Sequence, residues 1–396
     1  MVEWLSESER RRVSPLSYST TPPPAHSTTP SVVIPIVAGI GNALLAVPMV
    51  RQIKRAWPQA RITILARLEP MAELFRRLPE VDEVLVTGNG WRGHWRTIAA
   101  ARERRADWYL VPFPSNRWQY SVLAATSRAK RRVLHGYPVG YWRALHVLPG
   151  ATRQTAVRGI HDVVQNLNLL RELGIESDVT EAPTFAVNDA DRARADALLG
   201  DVKDGPFVVV HAGSESNALA RAKRWPAPNY ARLIEAMARE FRVPIVLLEG
   251  PAEAGVADAI LRHVAKSEPP AGRSLTVGLR GPIGDAAAVL ERATLYVGSD
   301  SGLAHLAAAV GTRAVTLFAS ADPDRVSPFG QRDLVVRSPK NCGPCFLYPW
   351  HTPYPKVRCR PPYCIDSVAV DAVLEAARRG MKKVAPQEDA GLRLSS

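Results

Sequence analysis

The stretch Leu295–Phe318, LYVGSDSGLAHLAAAVGTRAVTLF, constrains this chain more than any other. Its apolar run Leu295–Val297 stops at a polar Gly/Ser/Asp turn, and an alanine-rich helix is predicted from about Ser301 to Val310. Gly311 ends that helix, and a second β-rich run follows at Ala314–Phe318. Strand, turn, helix, glycine stop and strand form one βαβ unit, which demands a parallel sheet. A helix opening in such a turn aims unpaired backbone N–H groups and a positive dipole end at whatever lies above the sheet. Phosphate is the usual occupant of such a helix end. Asp300, Ser301, Gly302 and His305 thus lie where a nucleoside diphosphate can be held. The competing reading is plainer: Asp300 or Ser301 caps the helix, and His305 is a structural histidine one turn in.

The rest of the chain repeats the alternation. Ser31–Ala38 reads as a buried parallel strand, Gly39–Asn42 as a tight turn, and Ala43–Arg55 as a helix stopped by Trp57-Pro58. Strands follow at Arg61–Ala66, Glu83–Val86, Trp108–Val111 and Arg131–His135, with helices between them and at Asp162–Leu173. A connector spans Glu176–Gly205, with an apolar run at Pro183–Val187 and a helix at Asp189–Leu199. Phe207–Val210 then opens a second strand-and-helix series that closes with a helix at Ser367–Arg379. The expectation is α/β: two doubly wound, Rossmann-like parallel-sheet domains, residues 31–180 and 206–382, joined by a linker at 181–205 and facing a central cleft. The Ser/Thr/Pro-rich residues 1–30 and the last residues, 383–396, read as disordered tails.

Composition narrows the partners. Of the net charge of +13, the window Thr87–Ile160 carries +11, from thirteen Lys/Arg against Glu103 and Asp107. The same window holds Trp91, Trp95, Trp108, Trp118 and Trp142. Charge and aromatic rings concentrated together suggest an anionic partner, such as a phosphorylated glycolipid or a membrane surface. No nucleic-acid-binding motif accompanies the charge, so no nucleic acid is expected. No apolar run is long enough to span a bilayer, and MVEWLSESERRR lacks the apolar core of a secretory leader. The expected location is cytoplasmic, with peripheral contact at the inner membrane face.

All four cysteines fall within 23 residues: Cys342-x₂-Cys345, then Cys359 and Cys364. That spacing suits a tetrahedral thiolate site for structural zinc or iron, against thiols in a proline-rich loop. No cofactor is expected to be needed for catalysis.

GIGNALLAVP (39–48), HAG (211–213), KRWP (223–226), EGPAE (249–253) and, above all, SDSGLAHLAAAVGT (299–312) resemble the family-nine glycosyltransferases. These are the ADP-heptose heptosyltransferases of lipopolysaccharide core assembly, with the GT-B architecture. The resemblance runs from about Ser31 to Arg379. It implies transfer of a sugar, expected to be heptose from ADP-heptose, with inversion, to a lipopolysaccharide-core or other anionic glycan acceptor. It places Asp300, Ser301, Gly302 and His305 on the pyrophosphate and sugar, Lys223 beside the diphosphate, and Glu253 on the ribose. Gly213 and Ser214 begin the loop over the phosphates. Gly41, Asn42 and Arg117 lie on the acceptor side. Lys223, Asp300 and the residue at 42 are the implied catalytic set. Better-known members carry an aspartate at 42 as general base, and an amide cannot take that proton. Either His135, His161 or Asp107 serves instead, or Asn42 only orients the acceptor, or the chain is a non-catalytic or altered nucleotide-sugar binder. Some relatives carry a similar cysteine cluster that binds iron, which supports Cys342, Cys345, Cys359 and Cys364 as ligands.

Overall fold

The computed structural model describes residues 29–37, 39–115, 118–137, 151–213, 223–250, 253–264, 274–278, 281–340, 344–345 and 363–382. Arg117, Ser214, Cys342 and Cys359 lie outside them, as do the two predicted tails apart from Thr29 and Pro30.

Among the described residues twelve strands form two sheets. The first contains β1 (Ser31–Ile36), β2 (Arg61–Ala66), β3 (Glu83–Val86), β4 (Trp108–Leu110), β5 (Arg131–Gly136) and β6 (Thr152–Thr155), in the order β3-β2-β1-β4-β5-β6. The second contains β7 (Val208–His211), β8 (Ile245–Glu249), β9 (Ser274–Gly278), β10 (Leu295–Ser299), β11 (Ala314–Phe318) and β12 (Val335–Arg337), in the order β12-β11-β10-β7-β8-β9. Every pairing is parallel. The strand order reverses at β1/β4 in one sheet and at β10/β7 in the other, so the crevice at the strand carboxyl ends opens at those two points. This is the doubly wound α/β architecture expected from the alternation.

Several boundaries move. The segment read as a turn at 39–42 belongs to a helix, Ile40–Leu45, and a second helix, Val47–Ala56, follows a break at Ala46. Pro48 sits in the first turn of the second helix, where its missing N–H costs nothing. The predicted helix Asp162–Leu173 is α-helical only to Asn168 and tightens to a 3₁₀ turn at Leu169–Leu173. Gly174 then reverses the chain at φ 71°, which a residue without Cβ adopts at little cost. β6 and β12 were not expected from the sequence. TRQT offers no apolar run, and VVR is too short to signal a strand.

The two halves meet through the amino ends of two helices. A Cβ on Gly302 would lie 2.3 Å from Ile40 Cγ2, and a Cβ on Gly41 would lie 2.8 Å from His305 Cδ2. Glycine at both positions lets helix Ile40–Leu45 approach helix Gly302–Ala309. The connector run at Pro183–Val187 meets the end of helix Gly302–Ala309, with Phe185 N–H donating to Ala309 O at 3.0 Å. Arg77 and Glu73 of the first half stitch this junction: Arg77 pairs with the fully buried Asp191, and Glu73 accepts from the amides of Ile283 and Gly284 at 3.0 and 3.1 Å.

Candidate active site

The predicted βαβ unit is present, and it opens at the cleft. β10 ends at Ser299, and helix Gly302–Ala309 begins after Asp300 and Ser301. Ser301 occupies the N-cap position, but its side chain makes no capping bond. Its hydroxyl faces inward, 3.4 Å from both Tyr296 OH and His211 Nδ1. Asp300 turns the other way and accepts from Lys223 Nζ at 2.5 Å. The amino end of the helix is thus flanked by a cation and is not closed by its own side chains. That favours the anion-site reading over the capping one.

Behind the helix end runs a buried polar chain. His211, at the end of β7, sets Nε2 2.8 Å from Glu253 Oε2 and Nδ1 3.3 Å from Tyr296 OH. Hydrogen bonds from His211 and the Gly250 amide outweigh burial and hold the Glu253 carboxyl below its usual range. An ionised carboxylate only accepts, so His211 Nε2–H donates to it, and Nδ1 faces the two hydroxyls. Glu253 presses on Gly213, where a Cβ would stand 2.1 Å from its Cδ. A side chain at 213 would have to displace that carboxylate from its contact with His211. Nearby, Tyr230 OH meets Ser299 Oγ at 3.1 Å, and the buried Trp225 donates from its indole to Val368 O at 3.1 Å.

His305 is buried against Gly41. Burial pushes its pKa down to about 4, so the imidazole is neutral, and its Nδ1 has no partner among the described residues. Asn42 sits in the first turn of helix Ile40–Leu45, half-buried, on the opposite side of the same junction.

The three groups considered as substitutes for an aspartate at 42 have other tasks. Asp107 lies at the amino end of β4, the wrong end of the sheet, and is held by Ser31 at 2.9 Å and Lys130 at 2.7 Å. His161 bonds Ser327 O at 2.8 Å across the two halves. His135 is 1% exposed and bonds Gln165 O at 2.9 Å. Burial lowers both histidines to about 4.

Sequence reasoning missed three participants. His211 stood in the quoted HAG but received no role. Tyr296 lies inside the apolar strand run and reads as core. Asp162, the first residue of helix Asp162–Asn168, is fully buried and pairs with Arg325 at 3.3 Å. Of the cysteines, Cys345 and Cys364 are described. Cys364 starts a 3₁₀ turn, and its carbonyl accepts from Ser338 and Ser367. Among the described residues no three ligating side chains converge.

A family model for glycosyltransferase family 9 (heptosyltransferase) matches residues 119–352, which include β7, Lys223, Glu253 and the whole helix-end site. The chain belongs to glycosyltransferase family 9. It is 27% identical over 295 residues to lipopolysaccharide heptosyltransferase 3 of Escherichia coli K12, covering 71% of this chain and 80% of that one. Over 143 residues it is 29% identical to lipooligosaccharide heptosyltransferase 2 of Haemophilus influenzae, 36% of this chain and 38% of that one. The fold matches the crystal structure of the glycosyl transferase family 9 from Veillonella parvula with a TM-score of 0.71 at 18% identity, covering 89% and 98% of the two chains. It matches E. coli heptosyltransferase WaaC with ADP with a TM-score of 0.63 at 16% identity, covering 88% and 99%. This family-nine enzyme therefore has the GT-B fold and is a glycosyltransferase.

The stability of the enzyme should fall steeply on acidification. His135, His161 and His305 are buried and neutral, each lowered from 6.5 to about 4. Between those values the unfolded chain binds protons that the folded one refuses, so stability present above pH 6.5 is lost as pH falls towards 4. Each group contributes roughly 3 kcal/mol by linkage. Asp162, raised by burial to about 7, works in the opposite direction over the same range, by about 4 kcal/mol. Three imidazoles outweigh one carboxyl. Denaturant titration at pH 7 and pH 4.5 should show the loss, and equal midpoints would refute it.

Proposed function

We propose that the enzyme transfers heptose from ADP-heptose, with inversion, to a lipopolysaccharide-core or similar anionic glycan. The observation that carries this reading is the uncapped amino end of helix Gly302–Ala309 with Lys223 held beside it by Asp300 at 2.5 Å. Two phosphates set there meet backbone N–H groups and an ammonium together. As the acceptor hydroxyl attacks the anomeric carbon, its proton passes to solvent, the bond from that carbon to the diphosphate oxygen breaks, and negative charge collects on the leaving group. Lys223 and the helix end are already aimed at it, and prealigned charges need no reorganisation during the reaction. His305, neutral, supplies a hydrogen bond without competing for the phosphates. Glu253 uses Oε2 for both His211 and Gly250, which leaves its other oxygen for a ribose hydroxyl. Gly213 and Ser214 begin the loop over the phosphates. Gly41, Asn42 and Arg117 form the acceptor side, and the four cysteines are proposed to hold a structural zinc or iron. The relative named as WaaC was solved with ADP-2-deoxy-2-fluoro heptose as well as with ADP, which agrees with the choice of donor. The enzyme would work on the cytoplasmic side, at the inner membrane face. Among the described residues no helix is long and apolar enough to cross a membrane.

A thermal-shift series with ADP-, UDP-, GDP- and CMP-sugars tests the donor. ADP-heptose at a hundred times its Kd should add roughly 2.7 kcal/mol of stability. No shift with any of them would remove the reading.

Asn42→Asp should raise the transfer rate. A carboxylate at this first-turn position also favours the helix dipole, so the variant should fold normally. General base catalysis supplies roughly 10²–10⁴-fold, and a gain of that order is expected at pH 7–8. A loss of rate would instead show that the amide orients the acceptor.

A further inference from the structure

Five large apolar side chains stand exposed among the described residues, and four of them fall between Val86 and Trp118. Trp91 and Trp95, 69% and 64% exposed, are one turn apart on helix Gly90–Arg104. Trp118, 45% exposed, opens the neighbouring helix Trp118–Thr126, and Val86, 41% exposed, ends β3. Helix Gly90–Arg104 is firmly seated. Gly93, Thr97 and Ala101 bury its inner face, and a Cβ on Gly93 would stand 2.1 Å from Gly88 O. Trp91 and Trp95 therefore project from a fixed surface.

The charge along the first turns of this helix has one sign. Arg92 and Arg96 are exposed beside the two rings, and the Arg92 guanidinium lies 5.3 Å from the centre of the Trp91 ring. No acidic residue occurs from Thr87 to Arg102. Both helices begin at the carboxyl ends of their strands, the rim that also carries Asn42. An exposed indole gains most where an apolar body and a polar edge are both satisfied, at the headgroup level of a bilayer. Adjacent guanidiniums match lipid phosphates, and a stretch without carboxylates is not repelled by an anionic leaflet.

We propose that Trp91, Trp95 and Trp118, with Arg92 and Arg96, form a membrane-docking face that seats the acceptor side of the cleft on an anionic bilayer. The proposal names the surface by which the function proposed above meets its acceptor, and it rests on that reading to that extent. Vesicle binding requires neither donor nor acceptor, so the two can fail separately. The full-length protein should co-sediment with phosphatidylcholine vesicles containing about 30% phosphatidylglycerol at least ~10-fold better than with phosphatidylcholine alone. Trp91→Ala/Trp95→Ala should weaken binding to the anionic vesicles about 10-fold or more. Arg92→Gln/Arg96→Gln should abolish the preference for anionic lipid. Both double variants should keep the wild-type stabilisation by ADP-heptose, which shows that fold and donor site are intact. Wild-type protein that ignores anionic vesicles, or a tryptophan variant that binds them as wild type does, overturns the proposal. So does lipid-free self-association that disappears in the tryptophan variant, because the face would then join two copies of the chain.

Discussion

Lys223→Ala is expected to lower kcat by roughly 10²–10³-fold, the loss typical when one preorganised partner of a developing negative charge is removed. Lys223 Nζ lies 2.5 Å from Asp300, beside an uncapped helix end. The pair is part-buried, at 20% and 11% exposure, so its loss also leaves the Asp300 carboxylate short of a partner. Stability should fall by about 1–3 kcal/mol, and the larger effect should appear in the chemistry. Lys223→Arg should recover part of the rate, because it restores the charge but not the compact single-point geometry. Steady-state transfer from ADP-heptose, with circular dichroism as a check of fold, decides the matter. A folded alanine variant with undiminished kcat would remove Lys223 from the mechanism.

Arg325→Ala is expected to destabilise the protein more than any change at the donor site. Arg325 and Asp162 are 6% and 0% exposed and stand 3.3 Å apart, one from each half of the molecule. Removing the guanidinium strands a buried carboxylate, at a cost of about 3–5 kcal/mol. Replacing both partners, as in Asp162→Leu/Arg325→Met, should cost much less, since no charge is left buried. Burial already pushes the Asp162 carboxyl up to about 7, in spite of its partner. Burial outweighs attraction here because only one oxygen meets the guanidinium, while Oδ1 has no partner among the described residues. A raised pKa means that the folded state keeps a proton the unfolded chain has released, so the cost of ionising Asp162 grows as pH rises from about 4 to about 7. Arg325→Ala should therefore be closer to wild type at pH 5 than at pH 8. Urea midpoints at the two pH values measure this, and a penalty independent of pH would contradict the assignment. The same contact ties the halves together, alongside the His161 bond to Ser327 O at 2.8 Å and the His161–Phe329 ring contact at 5.2 Å.

The parts of the site legible in the sequence are those carried by local chain. The run from Leu295 to Phe318 announced its strand, turn, helix and glycine stop through periodicity and punctuation alone. The apolar runs of β1, β2, β7, β8 and β11 were equally plain, because a strand buried on both faces has no polar positions to obscure it. β6 and β12 were not legible. They are short edge strands whose pairing depends on the neighbour already being in place. Asn42 illustrates an intermediate case. Its chemistry was readable, an amide where a base is expected, but its place on a helix facing His305 was not. The glycines at 39 and 41 suggested a turn, whereas Gly41 is needed for close approach to His305.

The amino-acid order by itself determined two parallel α/β units, an anion-seeking helix end and a basic, aromatic first half. Each of these follows from side-chain period, backbone punctuation or charge within a few tens of residues. Only the tertiary structure decided that Ser301 leaves its helix uncapped, that His211 spends its ring on Glu253 and Tyr296, and that Asp162 meets Arg325 from 163 residues away. It also decided that Trp91 and Trp95 face outward while Trp108 and Trp225 are buried. Contacts between distant segments arise from how whole elements pack. The sequence of any one segment carries no record of the surface against which it will be set.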